Sequence, residues 1–179
     1  MSAQGKTRVY REIVDRQRAR FHSNVTKSLG WRIEQLDRLS RMLSEHHSDF
    51  AEAVGRDFKT ASSEKIFEVA ACLGVIEHTQ ASLEAWMRPV EVPVPAFLAA
   101  SGHKGILYRE PYGVTLIIGP FNAPLLNLLR PATTALAAGN PCILKVPEAP
   151  ATARLLLDLV PKYFDADAVE VLQIGRAHV

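Results

Sequence analysis

The chain has 179 residues, enough for one domain with a sizeable core or one domain plus part of another. Its 47% hydrophobic and 22% charged residues read as an ordinary soluble globular protein, not a disordered or fibrous one. Lys and Arg total 21 against 19 Asp and Glu, and this formal charge of +2 gives no reason to expect a nucleic-acid or membrane partner.

The chain opens on a local excess of cations. Arg8, Arg11, Arg16, Arg18 and Arg20 are opposed only by Glu12 and Asp15, which predicts a solvated helix face. "MSAQGKTRVYREIV" has no apolar signal core, its acids speak against a transit peptide, and no apolar run could span a bilayer. A cytoplasmic protein is expected. "NVT" at Asn24 to Thr26 is a glycosylation sequon, but no secretion signal gives it a route to be used.

Helical spacing follows. "LGWRIEQLDRLSRML" places Leu29, Ile33, Leu36, Leu39 and Leu43 on one face, and "SDFAEAVGRDF" continues with Phe50, Val54 and Phe58. "SSEKIFEVAACLGVIEHTQASLEAW" puts Ile66, Val69, Leu73, Ile76 and Leu83 on a stripe, with Ser62 or Ser63 as the N-cap and Pro89 ending the helix. In "RPVEVPVPAFLAASGHKG" the prolines and glycines exclude a regular helix, so an extended connector is predicted there, leading into an extended "ILYREPYG".

From Val114 the pattern alternates strand and helix. "VTLII" is a nearly continuous apolar run, as expected of a parallel strand covered on both faces. "LLNLLRPATTALAAG" is a helix with Pro131 inside it and Gly139 as its C-terminal cap. "CILKV", "PATARLLLDLVPKYF" and "AVEVLQ" supply the second strand, the second helix and a third strand. The fold class is therefore α/β: an N-terminal helical segment, then the first half of a doubly wound parallel sheet. The closing "IGRAHV" breaks the strand without turn logic, and it is the translation of ATCGGAAGAGCACACGTC, a common sequencing-adapter segment. Ile174 to Val179 are accordingly expected to be foreign, with the native chain continuing beyond Gln173.

In an open α/β sheet, ligands bind outside the carboxyl ends of the strands. Two such ends are visible, Gly119 to Pro124 and Lys145-Val146-Pro147-Glu148. Parallel pairing would bring them to one edge. A ribose hydroxyl can donate to a carboxylate and accept from an ammonium, so Lys145 and Glu148 suit a nucleotide's sugar. The Gly-x-Gly-x-x-Gly fingerprint is absent, and from the residues alone nucleotide binding stays an open alternative. Asn122 reads either as a placed amide donor or as a turn residue satisfying its own backbone. Cys72 and Cys142 are too few and too isolated for a disulfide framework or a zinc site and read as packing residues. Adjacent His46 and His47 point to different helix faces, His22, His78 and His103 stand alone, and no metal site is expected.

"EPYGVTLIIGPFNAPLL", "ALAAGNPCILKVPEAP" and "PKYFDADAVEVLQ" closely resemble the aldehyde dehydrogenase superfamily, in the branch of coniferyl and fatty aldehyde dehydrogenases. The resemblance runs from about "WRIEQLDRL" to Gln173. It implies an N-terminal part of an enzyme that oxidises an aldehyde to a carboxylic acid with NAD, NADP being the alternative cofactor. A cysteine thiolate, a general-base glutamate and a later glycine-rich turn belong to the family's downstream sequence. The resemblance assigns an oxyanion-hole donor to Asn122, the adenosine ribose to Lys145 and Glu148, and the cofactor groove to the backbone around Ile118, Gly119, Pro120 and Phe121. Ala123 stands where many relatives carry an aromatic residue, and "KVPE" replaces the commoner "KPSE". It further implies a homo-oligomer of the full-length enzyme. The pattern along the chain divides it into residues 1–88 (helical), 89–113 (connector or ribbon), 114–173 (half of the NAD-binding sheet) and the 174–179 tail, expected to be foreign. A non-catalytic nucleotide-binding or assembly module, or an acyl-CoA or acyl-phosphate reductase relative, are the alternatives.

Overall fold

The computed structural model describes residues 3–57 and 62–174. Five helical pieces come first: α1 (Ala3–His22), a 3-10 turn (Val25–Lys27), α2 (Leu29–Glu45), α3 (His47–Asp57) and α4 (Ser62–Met87). Ser28 starts α2, its Oγ accepting from Trp31 N at 3.2 Å. Leu36, Leu39, Leu43, Phe50 and Val54 turn inward as their spacing requires. In α4 the buried stripe is Val69, Cys72, Ile76 and Leu83, while Ile66 is half exposed. The expected position of Phe58, and the Ser62 and Ser63 side chains, lie outside the described residues.

The arginine-rich α1 has the solvated face expected of it, with Arg11, Arg16 and Arg18 exposed, and a second side that packs inward. Ile13 and Gln17 are buried, and Gln17 Nε2 donates to Cys142 O at 3.0 Å. Arg16 pairs with Glu170 and Arg20 with Asp167. Two of the cations thus tie the helix to the last strand and to the turn before it, and Arg11 and Arg18 face solvent.

The connector is a ribbon with a helix in it. β1 (Val90–Val92) pairs antiparallel with β2 (Gly105–Leu107), joined through α5 (Ala96–Ala100). Pro95 O accepts from Leu98 N and Ala99 N, so proline here starts a turn of helix that "AFLAA" favours, and Gly102 at φ 82° ends it. An extended reading of the whole stretch missed this local closure.

Three parallel strands follow in the order β3 (Thr115–Ile118), β4 (Cys142–Lys145), β5 (Val169–Leu172), linked by α6 (Leu126–Ala137) and α7 (Pro150–Tyr163). Register pairs Leu116 with Ile143 and Ile118 with Lys145. Gly139, at φ 88°, closes α6: Gly139 N donates to Leu136 O and Asn140 N to Ala135 O, both at 2.9 Å. One sheet face, with Ile117, Leu144, Val169 and Val171, is buried under α6 and α7, and α2, α3 and α4 pack over those helices in one continuous core. The other face is open at β3, where Leu116 is 58% and Ile118 65% exposed. The apolar run therefore does not mark cover on both faces among the described residues.

Candidate functional site

The carboxyl ends of β3 and β4 meet at one edge. Gly119 N donates to Lys145 O at 3.0 Å, extending the ladder by one residue beyond Ile118, and Val146 N does the same to Leu172 O at 2.9 Å. Gly119 is buried against the second loop. A Cβ there would lie 3.1 Å from Pro147 N and 3.3 Å from Leu128 Cδ1, a crowding that glycine avoids and a larger residue would relieve only by shifting the loop.

The turn then reverses towards α6. Ala123 sits at φ 44°, in the left-handed region, although a residue before proline is expected to be extended. A non-glycine residue there costs roughly 1–2 kcal/mol. What holds it lies downstream: Ala123 O accepts from Asn127 N at 2.9 Å, and Asn127 Nδ2 donates to Asn122 O at 3.0 Å. Phe121 and Asn122 are exposed, Pro120 is half-buried and Pro124 is buried. The Asn122 carboxamide makes no hydrogen bond among the described residues, so it does not satisfy its own backbone as a simple turn residue would.

On the neighbouring loop, Lys145 is half-buried and Glu148 exposed. Both line a cavity of about 290 Å³ together with Pro147, Ala153 and Gln173. Lys145 shares the open sheet face with Ile118. The structure thus brings Ile118, Gly119 and Lys145 into direct register, puts Glu148 in the cavity with Lys145, and places Asn122 on the adjoining turn, outside that cavity. A carboxylate and an ammonium on one small cavity at a strand-end edge fit the hydroxyls of a ribose.

Two residues escaped sequence reasoning. Glu68, fully buried in α4, accepts from Leu125 N at 3.0 Å and Leu126 N at 3.1 Å, capping α6 behind the Asn122 turn. Asp57, at the end of α3, accepts from Ala151 N at 2.8 Å and Thr152 N at 2.7 Å, capping α7 behind the Glu148 loop. The signal was present as a deficit. Neither Leu125 nor Ala149 can cap a helix with its side chain, so the orphan N–H groups had to find acceptors elsewhere. Glu68, one helical turn before Cys72, is also the acid that interrupts the apolar stripe of α4.

The two cysteines are inert packing groups. Burial pushes both thiols up to about 12, with the Glu68 charge adding to the effect at Cys72.

Comparison with known proteins shows what the whole chain is similar to. The dimeric NADP-preferring aldehyde dehydrogenase of Canis lupus familiaris is 36% identical over 92% of this chain and 36% of its own length. A probable coniferyl aldehyde dehydrogenase of Caulobacter vibrioides is 31% identical over 99% of this chain and 38% of its own. The substrate-bound structure of Staphylococcus aureus AldH superposes with a TM-score of 0.84 at 32% identity, over 93% of this chain and 36% of that one. The chain spans about a third of the length of the curated relatives it matches. A model of the Aldehyde dehydrogenase family matches residues 2–179, essentially end to end, and the chain belongs to that family.

Proposed function

We propose that this chain supplies the first half of the cofactor site and one oxyanion donor of an enzyme that oxidises an aldehyde to a carboxylic acid with NAD or NADP. The observation that carries it is the shared strand-end edge: the Gly119–Lys145 hydrogen bond ties the Asn122 turn to the loop bearing Lys145 and Glu148. When bound, the nicotinamide cofactor accepts the hydride. Lys145 and Glu148 hold the adenosine ribose, and the backbone from Ile118 to Phe121 lines the groove. Asn122 donates its side-chain N–H to the carbonyl oxygen as negative charge develops there. The nucleophilic cysteine and the general-base glutamate come from sequence this chain does not contain.

NAD is favoured in this reading, because the Glu148 carboxylate accepts from ribose hydroxyls and repels a 2′-phosphate. Lys145 draws that phosphate in, so NADP is still used. Since one relative is named as dimeric, we extend the proposal to a homo-oligomer of the whole protein. The test is aldehyde-dependent NADH formation by the full-length protein carrying this sequence, with residues 1–179 alone as the inactive control. No turnover by the full-length protein with any aliphatic or aromatic aldehyde, with either cofactor, would sink the proposal.

A further inference from the structure

Arg32 of α2 is an interior cation with no counter-charge among the described residues. It is only 6% exposed, and the burial holds its guanidinium below the usual arginine range with no carboxylate offsetting it. Among the described residues, Nη1 donates to Ala137 O at 3.1 Å and the buried Nε finds no acceptor. Gly139 backs the group closely: a Cβ there would lie 3.0 Å from both Nε and Nη2. A buried charge left in this condition is costly unless something pairs with it.

Beside it is a cavity of about 290 Å³ between α2, α4 and α6. Arg32 forms part of the wall, and Leu83, Trp86, Met87 and Ala138 supply apolar surface. Of the other charged residues lining it, Arg109 donates to Trp86 O at 3.1 Å, and Glu110 lies 3.9 Å from Lys27. The lining thus carries two cations against one acid that has its own partner. An apolar cavity of about 150 Å³ admits benzene, so this one has room for a ring and a carboxylate. A planar guanidinium is the best match for that carboxylate.

We propose that this cavity binds a small carboxylate with an aromatic or apolar body, the carboxylate on Arg32 and the body against Leu83, Trp86 and Met87. None of these residues belongs to the Asn122 turn or the Lys145–Glu148 loop, so the site is separate from the one above and does not depend on its assignment.

The test is titration of the full-length protein with benzoate and with its neutral isostere benzamide, read by fluorescence and thermal melting. Trp86→Phe assigns the fluorescence change, because Trp31 lies outside the cavity. Benzoate should give a saturable change and raise the Tm, and benzamide should bind about tenfold more weakly or worse, having lost the charge-assisted bond. Arg32→Met should abolish the benzoate response. Because that variant removes a buried anchor and can unfold, Ala138→Leu is the second arm: it fills the cavity from an exposed position and leaves Arg32 in place. It should keep the unliganded Tm and weaken benzoate at least about tenfold. Equal binding of benzoate and benzamide, an unchanged response in Ala138→Leu, or no saturable response at all would each overturn the proposal.

Discussion

Gly119 and Pro147 stand back to back at the sheet edge, so close that a Cβ on Gly119 would lie 3.1 Å from the Pro147 nitrogen and the loop would have to give by a few tenths of an ångström. Gly119→Ala should push the two loops apart. The expected loss is roughly 1–3 kcal/mol of stability, as for overpacking elsewhere, measured by urea denaturation. Retention of NAD should weaken as well, and a variant with unchanged midpoint and unchanged affinity would show that the loops have slack.

Asn122 is expected to act on charge that develops only during reaction. In the full-length enzyme Asn122→Ala should lower kcat by on the order of 10²–10³ with little change in NAD affinity. Asn122→Asp should be worse, since a carboxylate would face the oxyanion. Steady-state kinetics on variants of matched Tm decide it, and a near-normal kcat in Asn122→Ala would make the residue a loop-former only.

Glu148→Gln removes the charge that opposes a 2′-phosphate and keeps an acceptor for the ribose. The NAD to NADP ratio of kcat/KM should fall, chiefly through better use of NADP. An unchanged ratio would place the ribose elsewhere.

Remote caps should behave as caps. Glu68→Ala and Asp57→Ala are each expected to lower stability by about 1–2 kcal/mol. The fully buried Glu68 should stand at the upper end. Amide hydrogen exchange at Leu125 and Leu126 should accelerate in the first variant, and at Ala151 and Thr152 in the second. Protection unaltered at those amides would separate the stability loss from capping.

The thiols set an alkaline limit. Cys72 and Cys142 have folded values of about 12, above the ordinary thiol value of 9.0, so the folded state holds these protons where the unfolded state releases them. Their contribution is fully present below about pH 9 and is lost between roughly pH 9 and 12, at up to ~1.4 kcal/mol per pH unit for each thiol. Below that window neither should react with a thiol reagent until the chain unfolds. Cys142→Ala should flatten the alkaline slope, and rapid labelling of the native protein at pH 8 would contradict the burial.

The strand and helix alternation after Val114 was legible because each element carries its own period and stop signal: "CILKV" is apolar throughout, and Gly139 ends α6 with the left-handed conformation that glycine favours. Lys145 and Glu148 were legible as a pair because strand ends converge in this fold class. What could not be read locally was set by distant residues. The backbone of Ala123 departs from the preference its following proline imposes, and here the amide ladder of α6 outweighs that preference. The acceptor role of Glu68 depends on amides 57 positions away, which no local pattern records. The exposure of Leu116 and Ile118 follows from what packs on the sheet, which apolar content alone does not record.

Those two carboxylate grips also impose an order on assembly. They join segments 57 and 94 residues apart, and each leaves a helix of the sheet layer without a finished start until α4 or α3 has docked. Closing loops of that length comes before any reward from the contact, so the sheet and the helical layer should become native together and slowly, without one templating the other. A nascent chain that has emerged only as far as α4 holds both acids and neither of the helix starts they grip, leaving Glu68 and Asp57 waiting for the sheet to arrive.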